Sequence, residues 1–241
     1  MSSSYGKNLI FCVIAVCIVA AAFWGYEYFT NQIVEESGKP QVVASFYPLY
    51  YFAVRIAGDK ADVSNLTPAG IEPHDYDLTA QDIVRIEESE LLLINGGGFE
   101  PWTEQIKQTL RVNHTIIVSV SEDIATKEFV EDDEKIINPH IWLSPPLAKQ
   151  VVERIARAFI RVDPLNEAYY ESNSKTLTDA LDSLDYAYEQ GLRACGNRDI
   201  VTSHAAFDYM ADRYGLRLIT IAGISPEEEP SSRKLAEIAD F

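Results

Sequence analysis

Residues 42–66, VVASFYPLYYFAVRIAGDKADVSNL, decide the fold class. Val42–Ser45 is a short uncharged run that reads as a buried strand. Tyr50–Ala57 carries apolar side chains at helical spacing and stops at Gly58, and Asp62–Leu66 returns to strand composition. The alternation continues downstream. Thr79-Ala80-Gln81-Asp82 has the spacing of a capping box and opens a helix with Ile83 and Ile86 on one face. Leu91–Ile94 predicts a third strand, Pro101–Leu110 a helix and Ile116–Val118 a fourth strand. Strands that are apolar throughout are buried on both faces, as a parallel sheet covered by helices requires. The expected class is α/β.

Further along, Ser144-Pro145 pairs a cap residue with proline at the first helical position, and Val151, Ile155 and Phe159 mark a buried face. A longer helix is predicted from about Asn166 to Ala194, with apolar positions Tyr170, Leu177, Leu181, Leu184, Tyr188 and Leu192 and Gly196 as terminator. Such a helix spans about 40 Å, longer than one small lobe is wide. It therefore reads as a strut between two lobes. Asp199–Ser203 and Leu216–Ile221 are strands flanking a helix, and Ser231–Phe241 begins another helix. Two strands make a small parallel sheet, so the second lobe is expected to be incomplete. No internal repeat occurs, and the acidic stretch Glu122–Glu134 reads as a solvated loop.

The N-terminal stretch Leu9–Trp24, LIFCVIAVCIVAAAFW, follows Lys7 and contains no charge, the order of a secretory signal. Its 16 residues fall short of the roughly 20 that span a bilayer, and Ala20-Ala21-Ala22 offers a small-residue cleavage site. A cleaved signal and an uncleaved anchor both stay open; Phe11 before Cys12 and Val16 before Cys17 fit lipid modification poorly. Either way the rest of the chain is expected outside the cytoplasm. The expected organisation is a signal or anchor at 1–29, a linker at 30–41, an N-terminal lobe at 42–163, a linking helix at 164–196 and a partial second lobe at 197–241.

Of the 241 residues, 37 are acidic and 20 basic, a formal net charge of −17, with 47% hydrophobic content typical of a folded chain. Lys7 and Glu27 cancel in the leader, so the excess belongs to the exported part. An acidic chain is a poor partner for nucleic acid or an anionic membrane surface and a natural one for cations. Cys12, Cys17 and Cys195 provide no framework of bridges, and Cys195 is expected to be a buried small hydrophobe.

Chemistry concentrates in the four histidines. His74 follows the second strand in Pro73-His74-Asp75-Tyr76, His140 lies in Asn138-Pro139-His140-Ile141-Trp142 before a helix, and His204 ends a strand in Thr202-Ser203-His204. Strand-end loops of α/β sheets are where ligands bind. Three imidazoles converging there would make a tetrahedral site with one position left over, suited to Zn²⁺ and less well to other divalent metals. Each histidine taken singly has an ordinary structural reading, and their spacing is no local metal motif. His114 reads as a helix-end residue. A three-histidine site also fits a zinc hydrolase, for which Glu72 and Glu100 are the candidate bases, without His-Glu-x-x-His spacing to support them. Ile94-Asn95-Gly96-Gly97-Gly98 lacks the Lys-Ser/Thr of a phosphate loop and reads as a turn that lets Phe99 and Trp102 pack.

Five segments in order, Val42–Leu49, Gly70–Tyr76, Asn138–Ser144, Thr202–His204 and Gly223–Glu227, resemble the landmarks of the zinc and manganese solute-binding proteins of ABC importers, the cluster A-I metal-binding lipoproteins and adhesins. The resemblance implies two α/β lobes with parallel sheets covered by helices, joined by one long rigid helix, with metal in the cleft between them. His74, His140 and His204 match three ligand positions, and the family's fourth ligand, a carboxylate, falls downstream of Phe241. A histidine at the third position resembles the zinc receptors and a glutamate the manganese ones, so Zn²⁺ is the expected cargo and Mn²⁺ the second. The acidic segment before Asn138 lacks the histidines that many zinc members carry there. The implied function is capture by a monomeric extracytoplasmic receptor that hands metal to an ABC permease. Affinity is expected to fall as pH drops through about 6.5, where free imidazole protonates.

Overall fold

The computed structural model describes residues 38–110, 114–131 and 134–224, with isolated positions 20, 24, 235, 236 and 238. Strands β1 (Gln41–Ala44), β2 (Asp62–Asn65), β3 (Leu91–Ile94) and β4 (Ile116–Ser119) form one sheet in the order β2-β1-β3-β4, parallel throughout. Side chains alternate across it. Val42, Ala44, Leu91 and Leu93 join one apolar cluster with helices α1 (Tyr47–Ala57) and α4 (Pro145–Val162), through Leu49, Phe52, Val151, Ile155 and Phe159. Val43, Leu92 and Ile94 face the other way, onto Ile86 of α2 (Ala80–Glu87) and Ile106 of α3 (Thr103–Thr109). This two-sided cover is why the strands read as continuous apolar runs.

The predicted capping box forms. Thr79 Oγ1 accepts from the Asp82 amide at 3.2 Å and the Asp82 carboxylate accepts from the Thr79 amide at 2.9 Å. Helix α1 begins at Tyr47, earlier than predicted, because Pro48 is pre-set for a first turn. Helix α4 starts at Pro145 as read, with Ser144 at the cap position but no side-chain cap bond.

Helix α5 (Glu167–Leu192, 26 residues) is the long helix of the sequence reading. Its N-terminal half is anchored. Tyr170 is fully buried against Phe159, its hydroxyl donates to Asp163 at 2.6 Å, and Asn173 donates to the Ile56 carbonyl at 3.0 Å. The predicted apolar face does not stay buried along its length: Leu184 is 44% exposed and Tyr188 37%, because among the described residues few elements pack there. Helix α6 (Asp208–Tyr214) docks on α5 by hydrogen bonds from Arg213 and Tyr214 to Asp185. It is flanked by parallel strands β7 (Asp199–Thr202) and β8 (Arg217–Thr220), none of whose residues is fully buried.

Two sequence readings are corrected. The segment expected as a loop, Glu122–Glu134, holds strand β5 (Glu128–Glu131) and the first residue of its antiparallel partner β6 (Glu134–Ile137), where Lys135 meets Glu128 at 2.6 Å, so acidic composition concealed a strand pair. Cys195 is exposed rather than buried, its thiol directed to the Asn197 carbonyl. Among the described residues no helix is long and apolar enough to cross a membrane; the stretch Leu9–Trp24 lies outside them apart from Ala20 and Trp24.

The glycine run after β3 turns through three positive φ angles, and at Gly96 (φ 81°) an added Cβ would lie 1.8 Å from Ser119 Oγ. Gly96→Ala is expected to destabilise the protein by about 2–3 kcal/mol, combining backbone strain with that collision. Gly98→Ala meets open space, so only the conformational part, about 1 kcal/mol, should remain. Urea unfolding midpoints of the two variants test this, and equal losses would remove the collision from the account.

Candidate metal centre

Three separate strand-end segments each deliver one imidazole. After β2 the chain turns through Thr67–Ile71 into a 3₁₀ turn, Pro73–Asp75, that carries His74; the Glu72 carboxylate accepts from the His74 amide at 3.5 Å. Asn138-Pro139-His140 leads from β6 into the 3₁₀ turn Ile141–Leu143. His204 follows β7 in extended backbone, held by the Thr202 hydroxyl donating to its carbonyl at 2.8 Å.

The three rings meet. His74 Nε2 and His140 Nε2 are 3.2 Å apart, and one ligand atom from each of His74, His140 and His204 lies within 4.8 Å of the others. That spacing could accept one ion bound by three nitrogens at about 2.0–2.1 Å. Behind the rings stands an aromatic wall. Phe99 meets His74 edge-on with centroids 4.4 Å apart, Trp142 lies 5.1 Å from His140, and Phe46 packs against both Phe99 and Trp142.

Burial sets the protonation. His74 is lowered to about 4 by burial and then by the neighbouring His204 charge, against the opposing pull of Asp75. His140, only 2% exposed, is lowered to about 3 by burial and then by His74 and His204. Burial also lowers His204, opposed by Glu72. All three are neutral at neutral pH, the state in which imidazole coordinates metal. Asn138 Oδ1 accepts from His140 Nδ1 at 2.8 Å, leaving Nε2 of that ring as the bare nitrogen.

The remaining sequence candidates fall elsewhere. His114 is exposed at a bend before β4. Glu100 is buried and engaged with both oxygens: Oε1 accepts from Ser45 Oγ and the Asn95 amide, each at 2.6 Å, and Oε2 from the Gly96 amide at 2.9 Å. It anchors the glycine turn rather than standing free as a base. The turn does place Phe99 as expected, against His74, while Trp102 joins the cluster on the other sheet face. Phe46 and Asn138 lie in segments that carry the family resemblance but have no role of their own in the sequence reading, and Tyr209 lies in none of them. A signal for Asn138 was present, since an Asn two residues before a histidine is placed to bond its backbone and ring.

Parallel α/β layers, a 26-residue helix and three imidazoles gathered from strand-end loops define an α/β protein with a candidate three-histidine metal centre. Residues 42–241 match the family model described as the periplasmic component A of the zinc-uptake complex, ZnuA, and the chain belongs to that family. It is 34% identical over 240 residues to the high-affinity zinc uptake system protein ZnuA of Bacillus subtilis, covering 95% of this chain and 75% of that one. It is 33% identical over 218 residues to the zinc-binding lipoprotein AdcA of Streptococcus pneumoniae, covering 86% of this chain but 44% of AdcA, less than half its length. Among solved structures, the Zn(II)-bound ZnuA-like domain of that AdcA superposes with a TM-score of 0.72 at 34% identity, covering 84% of this chain and 74% of the domain. The laminin-binding protein Lmb of Streptococcus agalactiae, described as having adhesin and metal-transporting activity, gives 0.77 at 30% identity, with 84% and 75% covered. The matched family and the Bacillus subtilis relative are zinc-uptake components and not enzymes, which displaces the hydrolase alternative.

Proposed function

We propose that this chain is the extracytoplasmic receptor of a zinc importer, which binds Zn²⁺ through His74, His140 and His204 and delivers it to an ABC-type permease. The observation that carries this reading is the convergence of three neutral imidazoles within 4.8 Å. Three nitrogen donors favour Zn²⁺, whereas Mn²⁺ prefers more oxygen, so Mn²⁺ is a weaker second cargo. Family membership supports transport, and the Zn(II)-bound AdcA domain supports the ion. The division into lobes at 42–163 and 197–241 joined by 164–196, a monomeric state, and export by the leader at 1–29 as cleaved signal or retained anchor belong to the same proposal. In cells lacking this protein, zinc uptake at limiting zinc should fail, and it should be restored by the wild type but not by a chain with all three histidines changed to alanine. Full restoration by that triple variant would overturn the proposal.

The burial of the rings revises the expected pH dependence. Neutral imidazole is the binding form, and His74 and His140 hold it down to about 4 and about 3 rather than 6.5. Zinc affinity is therefore expected to hold to a lower pH than free imidazole would allow, because burial lowers all three rings below 6.5. The metal-free protein should respond earlier. Its unfolded chain takes up protons on these rings below 6.5 while the folded rings do not, so stability is full above 6.5 and lost as pH drops toward 4 and 3. Zinc titrations and thermal melts between pH 4 and 8 check both; a melting temperature unchanged from pH 7 to 5 would contradict the burial argument.

A further inference from the structure

We infer that Asn138 is a positioning residue that joins His140 and His204 into one site, an inference that rests on the zinc reading above. Asn138 is fully buried, and both ends of its amide are used. Its Oδ1 accepts from His140 Nδ1 at 2.8 Å and from the His140 amide at 3.1 Å. Its Nδ2 donates to the Ala205 carbonyl at 2.8 Å and to Asp208 Oδ2 at 3.0 Å. The orientation of the amide follows from chemistry, because a backbone carbonyl only accepts and must face the NH₂ end. The oxygen therefore faces His140, whose Nδ1 must donate, which leaves Nε2 bare and turned toward His74.

The same side chain reaches across the chain to the residue after His204. Ala205 is fixed on its other side by donating its amide to the Gly223 carbonyl at 2.8 Å. Tyr209 donates to the Asn138 carbonyl at 2.9 Å while accepting from the Lys127 amide, and Lys127 pairs with Asp212 at 2.7 Å. One amide thus sets the tautomer of one ligand and the backbone position beside another. Partners that orient metal-binding histidines are worth about 10–100-fold in affinity.

The test compares the wild type with Asn138→Ala and Asn138→Asp by two readouts. Histidine ring ¹⁵N NMR of the zinc-free protein reads the His140 tautomer, and zinc titration against a competing chelator reads affinity. Wild type should show the proton on Nδ1. Asn138→Ala should mix the tautomers and lower affinity about 10–100-fold. Asn138→Asp keeps an acceptor for His140 but replaces the donor to Ala205 with an oxygen facing Asp208, so the tautomer should persist while affinity drops about tenfold. An unchanged tautomer and affinity in Asn138→Ala would overturn the inference, and wild-type affinity in Asn138→Asp would overturn its bridging half. If Asn138→Ala does not fold, the aspartate variant decides. Absence of zinc binding by the wild type would instead overturn the function proposed above, while the zinc-free tautomer still reports on Asn138.

Discussion

Replacing His140 by alanine is expected to weaken zinc binding by about a thousandfold. Sites of this kind bind Zn²⁺ with apparent free energies of roughly 10–16 kcal/mol, so losing one of three or four ligands removes about 4 kcal/mol, and each 1.4 kcal/mol is tenfold. His140 is the most buried of the three, wedged between Trp142, Phe99 and the Asn138 amide. No neighbouring side chain among the described residues is placed to substitute for it in the cluster. The fold should survive, because His140 lies outside the two apolar clusters that hold the sheet and helices together. A chelator-competition titration measures the loss. His114→Ala is the control: that ring is exposed at a bend away from the cluster and should leave affinity unchanged. A change of less than threefold in His140→Ala would mean the ring is structural.

Replacing Glu100 by alanine should produce the largest loss of stability, about 3–5 kcal/mol, as expected when a buried charged partner is removed and its donors stay behind. Glu100 is 3% exposed, and burial raises its carboxyl above the usual range against the hydrogen bonds that favour the anion. Without it, the Asn95 and Gly96 amides and the Ser45 hydroxyl lose their acceptor inside the protein. The damage should also reach the metal centre, since Glu100 pins the turn that presses Phe99 against His74. Urea unfolding should register the loss, with Glu100→Gln intermediate because it keeps one acceptor oxygen. A loss below about 1 kcal/mol in Glu100→Ala would show that water or another donor set replaces the carboxylate.

The parallel sheet was legible because β1 and β3 are buried on both faces, so that short apolar runs such as Leu91-Leu92-Leu93-Ile94 alternate with helical patterns along the chain. The three site histidines were legible as loop residues at strand ends, and as neighbours through the family resemblance rather than through their spacing. His74 and His140 are 66 positions apart, and only the parallel crossovers bring their rings to 3.2 Å. The Tyr209 bond to Asn138 spans 71 positions and has no local signature. The hairpin β5–β6 was hidden because charge outweighed alternation in the reading of 122–134. Periodicity misled on α5, where Leu184 and Tyr188 keep helical spacing with the buried Tyr170 yet stay exposed, since spacing specifies a face and not what covers it. The shift of the imidazoles below 6.5 was equally out of reach, being a product of burial that the sequence does not state.

The central claim is that three imidazoles hold the zinc, and zinc K-edge X-ray absorption of the loaded protein tests it most directly. One ion per chain is expected, with three imidazole nitrogens at about 2.0–2.1 Å and one further light ligand. A shell of oxygens without the multiple scattering of imidazole, or one containing the Cys195 sulfur at about 2.3 Å, would contradict it.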